Sequence, residues 1–167
     1  MSNPPAWRNT GIVNRSAPTS TVVPVLIYED VAKAIIWLCA AFGFLERLRA
    51  ARADGVIMHA QLSIREGAVM LGAPGAAFRP PHTNEVNQYV IVRVDDVDRH
   101  FEHAKRFGAH IVQPPADMPF GERVYTAEDL GGHRWTFSQS IADVPLEHWG
   151  ATRASETHTR GKSPSGG

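Results

Sequence analysis

From Gln88 to Val112 the chain reads QYVIVRVDDVDRHFEHAKRFGAHIV. Val90, Val92 and Val94 fall on one side of an extended backbone, and Tyr89, Ile91 and Arg93 on the other, the period of two that a strand imposes. Asp95 and Asp96 stop the strand, and either can cap a helix with its side-chain oxygen. Val97, Phe101, Ala104 and Phe107 then recur at helical spacing among Asp98, Arg99, Glu102, Lys105 and Arg106, so the period changes to that of an amphipathic helix. Gly108 predicts its end.

The same grammar occurs earlier, in VVPVLIYEDVAKAIIWLCAAFGFLERL. Glu29-Asp30-Val31 stands where Asp95-Asp96-Val97 stands later. Val31, Ile35, Leu38 and Phe42 form the apolar stripe, and Gly43 closes the helix. Gly67 follows Gly43 by the same interval as Gly132 follows Gly108. Such a repeat predicts two copies of one unit, each a strand, a helix and three strands. One copy leaves a sheet face uncovered, so the two must pair, within one chain or between chains. The fold class expected is α+β. Residues 1–21 are expected to be a flexible arm, in which Trp7 is the one candidate for packing. Residues 22–80 form the first module, 81–87 a linker and 88–140 the second module. Residues 141–167 are an extension, mostly disordered, in which Pro145 starts a short helix or turn that Trp149 anchors.

In VIMHAQLSI, Val56, Met58, Ala60, Leu62 and Ile64 share the face expected under the helices, while His59, Gln61 and Ser63 share the other. Polar groups at alternate positions suit either an exposed sheet face or a ligand-holding concavity. On the last predicted strand His133, Trp135 and Phe137 point to the helix side, and Arg134, Thr136 and Ser138 away from it. The Pro-rich stretch after Val112 reads as a loop.

Composition adds bounds. The chain has 167 residues, 43% of them hydrophobic, which suits one domain or two small modules sharing a core. Seventeen basic and seventeen acidic residues balance, so no field draws it to nucleic acid or to an anionic membrane. The single Cys39 excludes an internal disulfide and reads as a small core residue. No apolar run reaches the roughly 20 residues of a membrane span, and the polar, Pro-containing N-terminus lacks a signal-peptide core. A cytoplasmic protein is expected.

The paired modules, with their EDV and DDV helix starts and the closing hairpin GERVYTAEDLGGHRWTFSQ, resemble the vicinal oxygen chelate superfamily, which includes glyoxalase I, extradiol dioxygenases and bleomycin-resistance proteins. The similarity covers residues 22–140 and is greatest to bacterial glyoxalase/bleomycin-resistance-like proteins. It implies two βαβββ modules forming a curved mixed sheet with helices on the outer face. Metal-using members place ligands on the first strand of each module and on the return strand of each closing hairpin. By that resemblance the four positions here are Val23, Leu71, Tyr89 and Thr136. A divalent cation needs imidazole or carboxylate ligands, so no metal and no cofactor are expected. The remaining expectation is a cup lined by Val23, Val25, His59, Gln61, Leu71, Tyr89, Ile91, Arg93, Phe120 and Thr136, an apolar wall with a few polar groups. Arg93 either holds an anionic ligand group or pairs with a neighbouring acid. His59 is either a base or a structural histidine. The first functional expectation is a metal-independent small-molecule-binding protein, sequestering an aromatic or drug-like compound as a homodimer. The rivals are a metal-free lyase or isomerase using His59 or Tyr89, and a regulatory or interaction module.

Overall fold

A computed structural model of the chain describes residues 12–153; the expectations for Trp7 and for the disorder of residues 154–167 lie outside them. The elements run β1 (Val25–Ile27), α1 (Val31–Phe42), β2 (Leu45–Ala51), β3 (Ile57–Ile64), β4 (Gly67–Gly72), β5 (Tyr89–Arg93), α2 (Val97–Arg106), β6 (His110–Asp117), β7 (Glu122–Glu128) and β8 (Arg134–Ser140), followed by a 3-10 turn at Leu146–Trp149. They form two mixed sheets of four strands, ordered β1-β4-β3-β2 and β5-β8-β7-β6. In each sheet the first strand pairs parallel to the last, and the other pairings are antiparallel.

The helices start and stop where their caps dictate. Asp30 accepts from the Lys33 amide at 3.0 Å and Asp96 from the Arg99 amide at 2.9 Å, so Asp96, not Asp95, is the second cap. Gly43 takes a left-handed φ of 80° and Gly108 one of 81°, which a side chain would disfavour. The stripe Val31, Ile35, Leu38 and Phe42 is buried throughout. On α2, Val97 and Ala104 are buried and Phe101 packs at the edge of the core, but Phe107 lies past the helix and is largely exposed.

Both helix-covered sheet faces contribute to one core, with Phe42 and Phe44 of the first module against Trp135 and Phe137 of the second. The last carbonyls of α1 have no partner inside their own helix. Histidines of α2 supply them: His103 Nε2 lies 2.7 Å from the Ala40 oxygen and His100 Nε2 3.1 Å from that of Phe42. In return Trp37 Nε1 donates to the Phe107 oxygen at 2.9 Å.

His100 therefore carries its proton on Nε2, and its Nδ1 accepts from the Tyr125 hydroxyl at 2.6 Å. Burial, and then the neighbouring His103, hold its pKa below the ordinary imidazole value; the Phe42 carbonyl opposes them. The unfolded chain thus takes up a proton, from about pH 6.5 downward, that the folded chain resists. Stability is fully present above that pH and declines as pH falls towards the lower folded value. Urea midpoints measured between pH 8 and 5 should fall on the acid side, and less steeply in His100→Gln; an unchanged slope would exclude His100 as a cause.

One expected loop is a strand. β6 runs through Pro114 and Pro115, with its register shifting on either side of Gln113. It is an edge strand, and a proline's missing N–H is tolerated there. The extension is anchored as expected: the 3-10 turn follows Pro145, and Trp149 packs on Phe120 with ring centroids 5.6 Å apart.

Among the described residues no helix is long and apolar enough to cross a membrane.

Candidate ligand-binding site

The parallel pairing of β5 with β8 sets Tyr89 beside Arg134, Ile91 beside Thr136 and Arg93 beside Ser138. Alternation then turns all six away from the core that Val92, Trp135 and Phe137 enter. The bulged edge of β6 and the loop before β7 rise around this face. Together they enclose a hollow of about 470 Å³ lined by Tyr89, Ile91, Val112, Met118, Phe120, Val124, Thr126, Arg134, Thr136 and Ser138, with Gln113 and Glu122. Four of the expected lining residues, Tyr89, Ile91, Phe120 and Thr136, meet here. Tyr89 and Ile91 remain 59% and 56% exposed.

Arg93 adopts the second of its two readings: Nη1 donates to Glu122 Oε1 at 2.7 Å and to Ser140 Oγ at 3.4 Å. Across the hollow Arg134 pairs with Glu128, whose other oxygen lies 3.1 Å from His110 Nδ1. Arg134, and then His110, hold the Glu128 carboxyl below the usual carboxylate range. Thr126 and Thr136 share a hydroxyl–hydroxyl bond of 3.0 Å across β7 and β8.

The first module does not mirror this. Leu71 is a correction: it pairs with Ala60 and Leu26 on the core face and is 0% exposed. The resemblance sets Leu71 equivalent to Thr136, but the two closing turns differ in length. Arg65-Glu66 makes a two-residue turn with Gly67 already paired to Ile64, whereas Asp129 to His133 is a wider loop. A slip of one residue exchanges faces, so Met70, paired with Val25, is the residue on the open side.

Gln61 is on the open side but is 3% exposed. Its amide donates to the Ser16 carbonyl at 2.9 Å and accepts from Arg47, which also holds the carbonyls of Arg15 and Ala17. The stretch from residue 15 to 17, expected to be flexible, is docked here, and Gln61 anchors it rather than lining a cup. His59 lies two residues away, half-buried, opposite Gly72. Val23 precedes β1 and is half-buried. Val25 opens onto a second hollow of about 380 Å³, with Ile27, Phe78, Arg79, His82 and Arg134. His59 and Tyr89 stand on different sheets, β3 of the first and β5 of the second.

The turn joining β7 to β8 locks the modules together. Asp129 is buried and accepts four bonds: Tyr28 O–H at 2.6 Å, Trp135 Nε1 at 2.8 Å, and the amides of Gly131 at 2.9 Å and His133 at 3.0 Å. Burial and the Asp129 charge push the Tyr28 phenol well above its usual pKa, so it stays a donor. Gly131 must be a glycine, because a Cβ would stand 2.6 Å from the Tyr28 ring. His133 Nε2, 2.7 Å from the Ile27 carbonyl, adds a second tie. In the sequence only the hairpin turn Asp-Leu-Gly-Gly hints at this role of Asp129.

Residues 21–137 match the family model described as Glyoxalase/Bleomycin resistance protein/Dioxygenase superfamily. The chain belongs to this superfamily. The uncharacterized protein Mb0911c of Mycobacterium bovis is 30% identical over 139 residues, covering 80% of this chain and 91% of that protein. Among solved structures, TioX from Micromonospora sp. ML1 is similar at 40% identity and a TM-score of 0.62, over 73% of this chain and 99% of TioX. TnmS3, an antibiotic binding protein from Streptomyces sp. CB03234, shares the fold at 18% identity and a TM-score of 0.57, over 71% and 93% of the two chains.

The metal of the superfamily's metal-using members does not fit the side chains present. By the resemblance, with Met70 in place of Leu71, the four ligand positions would fall on Val23, Met70, Tyr89 and Thr136, which offer a thioether and two neutral hydroxyls but no imidazole or carboxylate. Among the described residues no three of His, Cys, Asp and Glu stand close enough to hold an ion.

Proposed function

We propose that the chain is a small-molecule-binding protein of the glyoxalase/bleomycin-resistance type, taking a partly aromatic, drug-like compound into the hollow of the second sheet without a metal ion. The observation that carries this reading is the hollow itself. Tyr89, Ile91, Val112, Met118 and Phe120 supply an apolar wall, a few polar groups lie beneath, and no metal-ligand set accompanies it. The antibiotic binding stated for TnmS3 supports the class of ligand through a shared fold.

The same proposal includes a homodimer. Val25, Tyr89 and Ile91 stay more than half exposed on the open faces, and a second copy lying across them would bury this apolar surface and deepen the hollow. Sedimentation analysis should give twice the chain mass; a monomer at all concentrations would remove this part.

The rival reading, a metal-free lyase or isomerase, has Tyr89 on the rim of the hollow in its favour. His59 belongs to the other sheet. A turnover panel of dicarbonyl, catechol and epoxide substrates separates the two. The binding reading predicts no turnover with or without added divalent cations, and turnover lost in Tyr89→Phe would establish the enzyme instead.

A further inference from the structure

We infer that the compound held in this hollow presents a neutral carbonyl oxygen on an aromatic ring, and that Ser138 donates to it; the inference rests on the hollow being a ligand site. Ser138 is 1% exposed, yet it borders the hollow and its Oγ has no hydrogen-bond partner among the described residues. A buried hydroxyl without a partner is costly and uncommon in a folded chain. Its neighbours along the same face of β8 have the same surplus. Thr136 and Thr126 spend one hydroxyl proton on each other and keep one, and Arg134 Nε is a buried donor without an acceptor. Of the acceptors nearby, both oxygens of Glu128 are held by Arg134 and His110, and one oxygen of Glu122 by Arg93. The β8 floor of the hollow therefore holds hydrogen-bond donors that lack acceptors.

Charge selects further. Glu122 and Glu128 offset Arg93 and Arg134, so an anion entering would find no unpaired cation and would lose its hydration without compensation. A neutral acceptor loses far less. Tyr89 and Phe120 on the walls favour a flat aromatic body around that acceptor, since ring faces and edges pack well against each other.

The test uses the full chain and a matched set of probes in a calorimetric titration: 2-acetylnaphthalene, 2-isopropenylnaphthalene, which replaces the carbonyl oxygen by CH2 at nearly the same shape, and 2-naphthoate. The ketone should bind about tenfold more tightly than the hydrocarbon, the difference one buried hydrogen bond makes, and more tightly than the naphthoate. Ser138→Ala should erase the ketone's advantage while leaving the melting temperature unchanged or raised, because it removes a buried group with no partner. Thr136→Trp, which fills the hollow, should abolish binding of all three. Equal binding of ketone and hydrocarbon would overturn the role of Ser138 and leave the hollow a ligand site. Preference for the naphthoate, or a ketone preference that survives in Ser138→Ala, would also overturn it. Binding that persists in Thr136→Trp, or none by any probe, would remove both the inference and the site beneath it.

Discussion

Asp129→Ala should destabilise the protein by about 3–5 kcal/mol, lowering the melting temperature by roughly 10–15 °C. The reason is the number of donors that depend on one buried carboxylate. Tyr28 and Trp135 approach one oxygen, and the amides of Gly131 and His133 the other. Removal leaves four donors in a buried site without the acceptor that all of them share. Asp129→Asn preserves the shape but sets an NH2 group against two of these donors whichever way the amide turns, so it should be nearly as damaging. Tyr28→Phe removes a single donor and leaves the carboxylate three, so it should cost far less. Thermal melts of the three variants check the order, and an Asp129→Asn protein as stable as the parent would refute the network.

Phe42→Ala should cost a similar amount, about 3–5 kcal/mol. Phe42 is fully buried at the C-terminal end of α1, with its ring edge-on to Trp37, Trp135 and Phe137 at centroid distances of 4.9, 5.6 and 4.8 Å. Most residues of the core belong to one module; this one touches aromatic partners in both. The cavity left by truncation opens at the seam, where rigid rings cannot close over it. Urea unfolding measures the loss, and hydrogen exchange should quicken in α1 and β8 together. A loss below about 1 kcal/mol, or faster exchange in α1 alone, would mean that the modules do not share one core.

The strands and helices were legible because two periods alternate along the chain without interference. Acid-Val helix starts and closing glycines marked the boundaries of α1 and α2; parity set Tyr89 with Ile91, and the family resemblance joined Thr136 to them. Parity failed where it was carried across a turn. Leu71 was matched to Thr136 across the repeat, and a two-residue turn in one module against a wider loop in the other puts it on the core face instead of the open one. Gln61 was on the right face, but a pattern of polar positions does not reveal that residues 15–17 lie on top of it. Pro114 and Pro115 argued for a loop, since nothing local showed that β6 is an edge. The α2 histidines look like surface residues in a charged helix; their task, closing the carbonyls of α1, exists only once the modules meet. Ser138 shared its parity with Thr136, but no pattern in the sequence shows that its hydroxyl is buried without a partner among the described residues.

If the proposed hollow takes an organic ligand without a metal ion, its binding must not depend on a cation. The most direct test is a thermal-shift screen of aromatic antibiotics and metabolites against the full chain, run once in the presence of a chelator and once with added zinc, manganese or nickel. A compound present at a hundred times its dissociation constant stabilises by about 2.7 kcal/mol. At least one compound should therefore raise the melting temperature by several degrees, and by the same amount with and without metal. A shift that vanishes under the chelator and returns with the cation would contradict the account.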